Sequence, residues 1–252
     1  MKFLIQKINN RIRHDFSFVL LEAIEFQYWF NSNIIPKTKV KYFNTTSDQK
    51  EFTFGDIHHS YVPIGSVEFV TAFLQQFYKL TPKPINVPNE LIWYANRHIL
   101  NGTEKNLKSF NEEHFVKSND KIKGFSNLIA PSYNLPEGNY QFSQRIQIDS
   151  EWRAFVYEGK LVGLQNYAGE FTMFPNVDTI KEIINVYKSA PVAYTLDIGI
   201  NEINGIQSTT FVIECHDFFS CGLYGFANLA IYPYMLHKWF YNYVNNIKWK
   251  QF

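Results

Sequence analysis

Three groups of side chains in this sequence have the types and spacing for chemistry. The first is acidic. Asp197 lies in the run YTLDIGI and Glu214 in VIECHD, on either side of an Asn204-Gly205 pair. Asn-Gly between two strand-like runs is a strong hairpin signal. Pairing outward from that turn brings Asp197 opposite the region of Glu214. His216, two residues on, then shares a face with Glu214. Two carboxylates side by side repel unless a cation or a proton intervenes, and oxygen-rich clusters suit Mg²⁺ held together with substrate phosphates. A polar strand end with ordinary ion pairs is the plain alternative.

The second group is basic: Lys117, Lys121 and Lys123 in FVKSNDKIKGFS. A strand that ends in lysine and runs into a polar loop with Gly124 can present ammonium groups and backbone amides to phosphates. A solvated basic loop would look the same. The third is Arg153, inside the otherwise apolar run Trp-Arg-Ala-Phe-Val. Its planar fork suits phosphate or carboxylate, although an arginine on the outer face of a strand is equally compatible. Familiar signatures are missing: no G-x-x-x-x-G-K-[ST] loop, no G-x-G-x-x-G, no H-E-x-x-H, no G-x-S-x-G elbow and no kinase H-R-D set. His58 and His59 are adjacent, and on a strand they would point apart, which favours a surface reading.

The elements that must position these groups can be outlined. Residues 14–30 form one apolar-rich block, expected as a buried helix, and Thr38–Phe43 alternates as an edge strand. Ser66 and Glu68 open a helix running to about Tyr78, with Thr81-Pro-Lys-Pro as a stop. A second helix is expected from Pro88, with Leu91, Ile92, Ala95 and Ile99 as its buried stripe. Beyond about Asn101 the chain turns strand-rich. Tyr140, Phe142, Gln144, Ile146 and Ile148 alternate with Gln141, Ser143, Arg145 and Gln147, as in a strand. Glu151 opens another, turning at Glu158-Gly159. Asp178 is expected to cap a helix with Ile180, Ile183, Ile184 and Tyr187 inward, stopped by Pro191. Strands over Ala193–Ile200 and about Ser208–His216 follow. A last helix from Pro233 turns Met235, Leu236, Trp239, Phe240 and Tyr243 inward. Without regular βαβ alternation the mixture reads as α+β.

Composition bounds the partners. The chain has 252 residues, 24 basic against 23 acidic side chains, and 46% hydrophobic residues. That is enough to fill a sizeable core, as one compact unit with internal lobes. A net charge of +1 gives no bulk attraction for nucleic acid or anionic membrane, so neither is expected as a partner. Aromatic content of 18% points to a core built largely from Phe and Tyr. No run approaches the length of a membrane span, and the apolar run after Met1-Lys2 is too short for a signal peptide. Two cysteines, Cys215 and Cys221, are too few for a disulfide framework and are expected to be inert packing residues. A cytoplasmic protein is the expectation.

In this order, FVKSNDKIKGF, EWRAFVYEGKLVG, YTLDIGI and VIECHDFFSCGLYGF resemble the ATP-grasp superfamily. More narrowly they resemble its clade named for one arginine and two lysines, common in phage and bacterial genomes. YVPIGSVEFV resembles the N-terminal region of that clade, so the likeness runs from about Tyr61 to Gly225. It implies an ATP-grasp fold in which two α+β lobes clamp a nucleotide, with residues 1–100 as a preceding lobe and 101–252 as the nucleotide-binding and catalytic lobes. It implies an ATP-dependent, Mg²⁺-requiring ligase that joins a carboxylate, with that of a peptide or protein among the candidates, to an amine through an acyl phosphate, releasing ADP. By position, Lys117 and Lys123 would contact ATP phosphates and Arg153 the triphosphate or acyl phosphate, with Lys123 and Arg153 carrying the catalysis. The strand around Ser143–Ile148, with Gln144 and Ile146, would lie near adenine. Asp197 and Glu214 would hold the metal. The acidic motif of the clade usually reads Glu-x-Asn-Asp, whereas here it is Glu214-Cys215-His216-Asp217. Imidazole suits transition metals better than Mg²⁺, so either Asp217 replaces His216 as ligand, or the preference moves toward Mn²⁺, or catalysis is weakened. The same clade resembles a eukaryotic chaperone for a translation initiation factor, which leaves a non-catalytic ATP-binding module or assembly chaperone as the alternative. A nucleotidyltransferase would need a lysine before Asp-Gly, which Lys121-Ile-Lys-Gly124 does not supply.

Overall fold

The computed structural model describes residues 1–31, 38–203, 206–207 and 209–245. They form two compact units. The first comprises Met1–Thr81 with Pro191–Ala193 and residues 218–245, the second Pro82–Ala190 with Tyr194–Asp217.

The first unit carries a parallel sheet of β1 (Lys2–Ile8), β2 (Lys39–Thr45) and β3 (Val62–Ile64), in the order β2-β1-β3. Parallel neighbours need a crossover, and the apolar block at the N-terminal end supplies it as α1 (Asp15–Asn31). One βαβ step therefore lies inside a chain that is otherwise an irregular α+β mixture. β2 is an edge strand, as its alternation suggests. Ser66 caps α2 (Val67–Tyr78): its side chain accepts the Phe69 amide at 3.2 Å, and the helix ends at Lys79 with φ 58°. Much of this core is aromatic, with Phe54 against Phe69 and Phe73 at ring distances of 5.3 and 5.1 Å. The last described helix, Tyr232–Val244, has its proline in the first turn and buries Met235, Leu236, Trp239 and Phe240. Tyr243 is only half-buried, stacked on Trp239.

The second unit holds two four-stranded sheets. One runs β4-β7-β5-β6, all antiparallel, from β4 (Ile99–Thr103), β5 (His114–Ser118), β6 (Ser126–Ile129) and β7 (Asn139–Gln144). The other runs β13-β10-β8-β9, from β8 (Ser150–Tyr157), β9 (Lys160–Gly169), β10 (Ala193–Ile200) and β13 (Phe211–Asp217). Between β10 and β13 a short antiparallel pair, β11 (Glu202–Ile203) and β12 (Ile206–Gln207), continues the hairpin; the Asn204-Gly205 turn lies outside the described residues. The tight turn at Glu158 and Gly159 has both residues at positive φ, 49° and 69°.

Four expectations change. The helix expected from Pro88 is a 3-10 segment, Asn89–Ala95, and Ile99 begins β4. Asn96 adopts φ 52° and ends the turn, yet Leu91, Ile92, Ala95 and Ile99 still pack on one core. Periodicity recorded the shared destination and missed the break. The helix α3 (Val177–Val186) is capped by Asn176, whose side chain accepts the Asp178 and Thr179 amides, so Asp178 is a first-turn acid rather than the cap. Its inward residues Ile180, Ile183, Ile184 and Tyr187 are all buried as expected. The strand through Tyr140 stops at Gln144, and Gln141 and Ser143 are buried together with Tyr140 and Phe142. β7 is interior to its sheet, and Gln141 spends its amide on Val87 and Asn101. Cys215 is fully buried and Cys221 half-buried. His58 and His59 are exposed, as expected, but their rings stack at 4.3 Å in a turn instead of pointing apart on a strand. No helix among the described residues is long and apolar enough to cross a membrane.

Candidate functional site

β10 and β13 pair antiparallel with Asp197 directly opposite Glu214. The register changes by one residue just beyond them: Ile198 pairs Val212, leaving Ile213 as the extra residue of a bulge on β13. His216 lies on the Glu214 face of the strand. Its Nε2 is 3.5 Å from Asp197 Oδ2 and 3.4 Å from Glu214 Oε1. One ligand atom from each of these three residues falls within 4.8 Å of the others. Asp217 is not in this cluster. It pairs Tyr194 and falls on the Cys215 side of β13.

Each carboxylate already has a cation. Arg153 grips Asp197 through both arms, Nε to Oδ1 and Nη2 to Oδ2, each at 2.8 Å, with Asp197 only 1% exposed. Lys117, at the end of β5, makes an ion pair with Glu214. Tyr167 donates to Glu151 at 2.6 Å and lies 3.4 Å from Asp197. Burial alone would raise the Asp197 carboxyl, but the bonds and charges of Arg153 and His216 outweigh it and hold the group below its ordinary range. Glu214 follows the same logic with His216 and Lys117, and stays well below the usual carboxylate range. Burial would lower His216, yet its bonds to Asp197 and Glu214, together with their charges, push it up to about 9. Burial and the nearby carboxylates Asp197 and Glu151 push the Tyr167 phenol up.

Glu214 and Lys117 line a cavity of about 350 Å³ within the second unit. That is the size range of small-molecule sites. Its apolar wall is Phe115, Leu128, Ile146, Ile148 and Ile213; its polar wall includes Arg97, Gln144, Arg145 and Glu151. So one space brings apolar side chains, suited to a flat ring, together with charged ones, among which cations outnumber carboxylates.

Of the residues singled out from sequence, Lys117, Gln144, Ile146 and Glu214 meet in this cavity, and Asp197 and His216 stand beside Glu214. Arg153 is turned onto Asp197 and is not part of the cavity wall. Lys123 lies exposed on the loop after β5, at φ 51°, also away from the wall. The residue that sequence reasoning missed is Arg97. It is half-buried, lines the cavity and donates to the carbonyls of Ala95, Val212 and Ile213 at 3.0, 2.8 and 2.8 Å. Burial pulls it down to about 10, partly offset by the charge of Glu214. An arginine between an aromatic turn and a strand carries no motif; the only hint was a charge bordering an apolar stripe.

Comparison with known proteins bears on this arrangement. Residues 94–233 match the family described as ATP-grasp domain, R2K clade family 2. No curated protein matches the sequence. Among solved structures, D-alanine–D-alanine ligase from Bacillus anthracis aligns with a TM-score of 0.50 at 9% identity, over 98% of this chain and 99% of that one. N5-carboxyaminoimidazole synthetase from Staphylococcus aureus aligns with a TM-score of 0.56 at 10% identity, over 94% of this chain and 78% of that one. The N5-carboxyaminoimidazole ribonucleotide synthetase of Thermotoga maritima gives 0.51 at 11%, over 94% and 76%. At these identities the likeness is one of fold.

Proposed function

The chain belongs to the R2K clade of ATP-grasp domains, and from that membership we propose that it is an ATP-dependent, divalent-cation-requiring ligase joining a carboxylate to an amine. The observation that carries the reading is a cavity lined both by apolar side chains and by Lys117 and Glu214, with Asp197 and His216 beside Glu214. A nucleotide has the same two-part character. In this reading the base rests against Phe115, Leu128, Ile146 and Ile148, with the backbone near Gln144 and Ile146 meeting its edge. Lys117 turns from Glu214 to the phosphates, and Lys123 reaches them from its loop.

Asp197, Glu214 and His216 fit a divalent cation by donor type and spacing. When bound, the cation neutralises phosphate charge. Arg153 holds Asp197 in its ligating orientation. A substrate carboxylate oxygen attacks the γ-phosphorus, the bond to the β-phosphate oxygen breaks and ADP leaves. The amine then attacks the acyl carbon, phosphate departs, and the amine proton passes to solvent. The carboxylate, of a small molecule or a peptide, and the amine are proposed as classes only.

The test is ADP release on incubation with ATP, Mg²⁺ or Mn²⁺, and panels of carboxylates and amines. ADP formation that requires both substrates supports the ligase. ATP binding without turnover under every condition would mark a nucleotide-binding module, and AMP release would mark a nucleotidyl transfer.

Two variants probe the parts. Lys117→Ala should weaken ATP binding by about 1.5–3 kcal/mol, the range for a hydrogen bond to a charged group. Lys123→Ala should weaken it less, since that side chain lies exposed outside the wall. Calorimetric titration giving unchanged affinity in Lys117→Ala would remove the lysine from the phosphate site. For the metal, an imidazole ligand favours Mn²⁺ over Mg²⁺. His216→Asn should therefore shift the activity ratio toward Mg²⁺; an unchanged ratio would mean that His216 is not a ligand.

A further inference from the structure

We infer that Arg97 is a positioning residue: it locks the bulge at Ile213 that turns Glu214 into the cavity. The inference rests on the reading of Glu214 as a cation ligand. In a regular strand side chains alternate, so Val212 and Glu214 would share one face and Ile213 and Cys215 the other. The structure breaks that pattern. Val212 and Cys215 are both buried in the hydrophobic core of the second unit, while Ile213 and Glu214 both line the cavity. The extra residue at Ile213 is what makes this possible, because a one-residue slip flips every later side chain to the opposite face. Without the bulge, Glu214 would point into the core and Cys215 into the cavity.

A bulge disrupts the ladder and leaves backbone groups in need of partners. β13 is also the edge strand of its sheet. In a regular strand successive carbonyls point to opposite edges, so one side chain could not take two in a row. Here the carbonyls of Val212 and Ile213 both accept from Arg97, at 2.8 Å each, and a third bond ties the same guanidinium to Ala95 at the end of the 3-10 segment. The fork thus reads a geometry that only the bulge produces. Lysine, a point charge without a fork, could not satisfy the three carbonyls together.

The test measures Mn²⁺ binding alone, by calorimetry, in four proteins: wild type, Arg97→Ala, a deletion of Ile213, and the deletion combined with Arg97→Ala. Removing Ile213 gives β13 a continuous register, Ile198 to Val212 and Asp197 to Glu214, with Glu214 on the cavity side and no bulge to hold. Arg97→Ala should weaken Mn²⁺ binding by about 10–100-fold, the usual loss when an outer support of a metal ligand is removed. In the deletion background the same substitution should change it by less than about threefold. Wild-type affinity in Arg97→Ala, or an equal loss in both backgrounds, would overturn the inference. Glu214→Gln separates the two claims: if it leaves Mn²⁺ binding intact, the ligand reading fails, whereas loss there with none in Arg97→Ala fails the positioning role alone. A crystal structure of Arg97→Ala decides the same point without metal. Glu214 turned away from the cavity supports the lock, and Glu214 in its present place refutes it.

Discussion

Glu214→Gln should remove divalent-cation-dependent ATP turnover, by about 10²-fold or more, while the fold survives. The substitution keeps volume and takes away one charge of the proposed cation site, where a bound cation would be worth several kcal/mol of transition-state stabilisation. It also frees Lys117, which Glu214 holds in an ion pair. Nucleotide affinity measured without metal should therefore stay constant or rise as turnover collapses. That split distinguishes loss of a metal ligand from general damage, which would lower both. Turnover and calorimetric affinity on the same preparation, with circular dichroism as the check on folding, settle the matter. Full cation-dependent turnover in this variant would take Glu214 out of the site.

Asp197→Asn should produce the largest loss of stability among the site variants. Asp197 is 1% exposed and its two oxygens take both arms of Arg153. Neutralising it leaves a buried guanidinium without its counter-charge, a change that costs about 3–5 kcal/mol when one partner of such a pair is removed. Replacing both partners together, as Arg153→Met with Asp197→Leu, should destabilise less than the single change, because no orphaned charge remains. Urea unfolding of the three proteins tests the order. A midpoint for Asp197→Asn close to wild type would mean that water reaches the pair and that Arg153 is not tied to its carboxylate.

The site was legible in sequence wherever local pattern carries the information. Turn chemistry at Asn204-Gly205 was enough to bring Asp197 to the region of Glu214, and alternation along β13 to put His216 on the Glu214 face, while the exact pairing of Asp197 with Glu214 depends on the bulge at Ile213. The cap at Ser66, the tight turn at Glu158-Gly159 and the inward face of α3 were legible for the same reason. Each depends on residues a few positions apart, whose geometry the backbone itself restricts. Where the pattern was ambiguous, neighbours in space decided. Asn176 and Asp178 are both able caps, and the helix start chose the first. Asn96 could have continued a helix and instead ends it.

What the sequence alone determined is therefore that two carboxylates and an imidazole lie near one hairpin, through its turn chemistry and period-two alternation. What only the tertiary structure decided is which charge answers which. Arg153 faces Asp197 from β8 and Lys117 faces Glu214 from β5, pairings across 44 and 97 residues of chain. Arg97 reaches β13 from more than a hundred residues away, to carbonyls that point its way only because of a bulge. Such partners are set by sheet order and by one residue of register, and neither leaves a periodic mark in the sequence. Electrostatics at a buried site depends on distance through space, so the roles of these cations became readable only once the strands were in place.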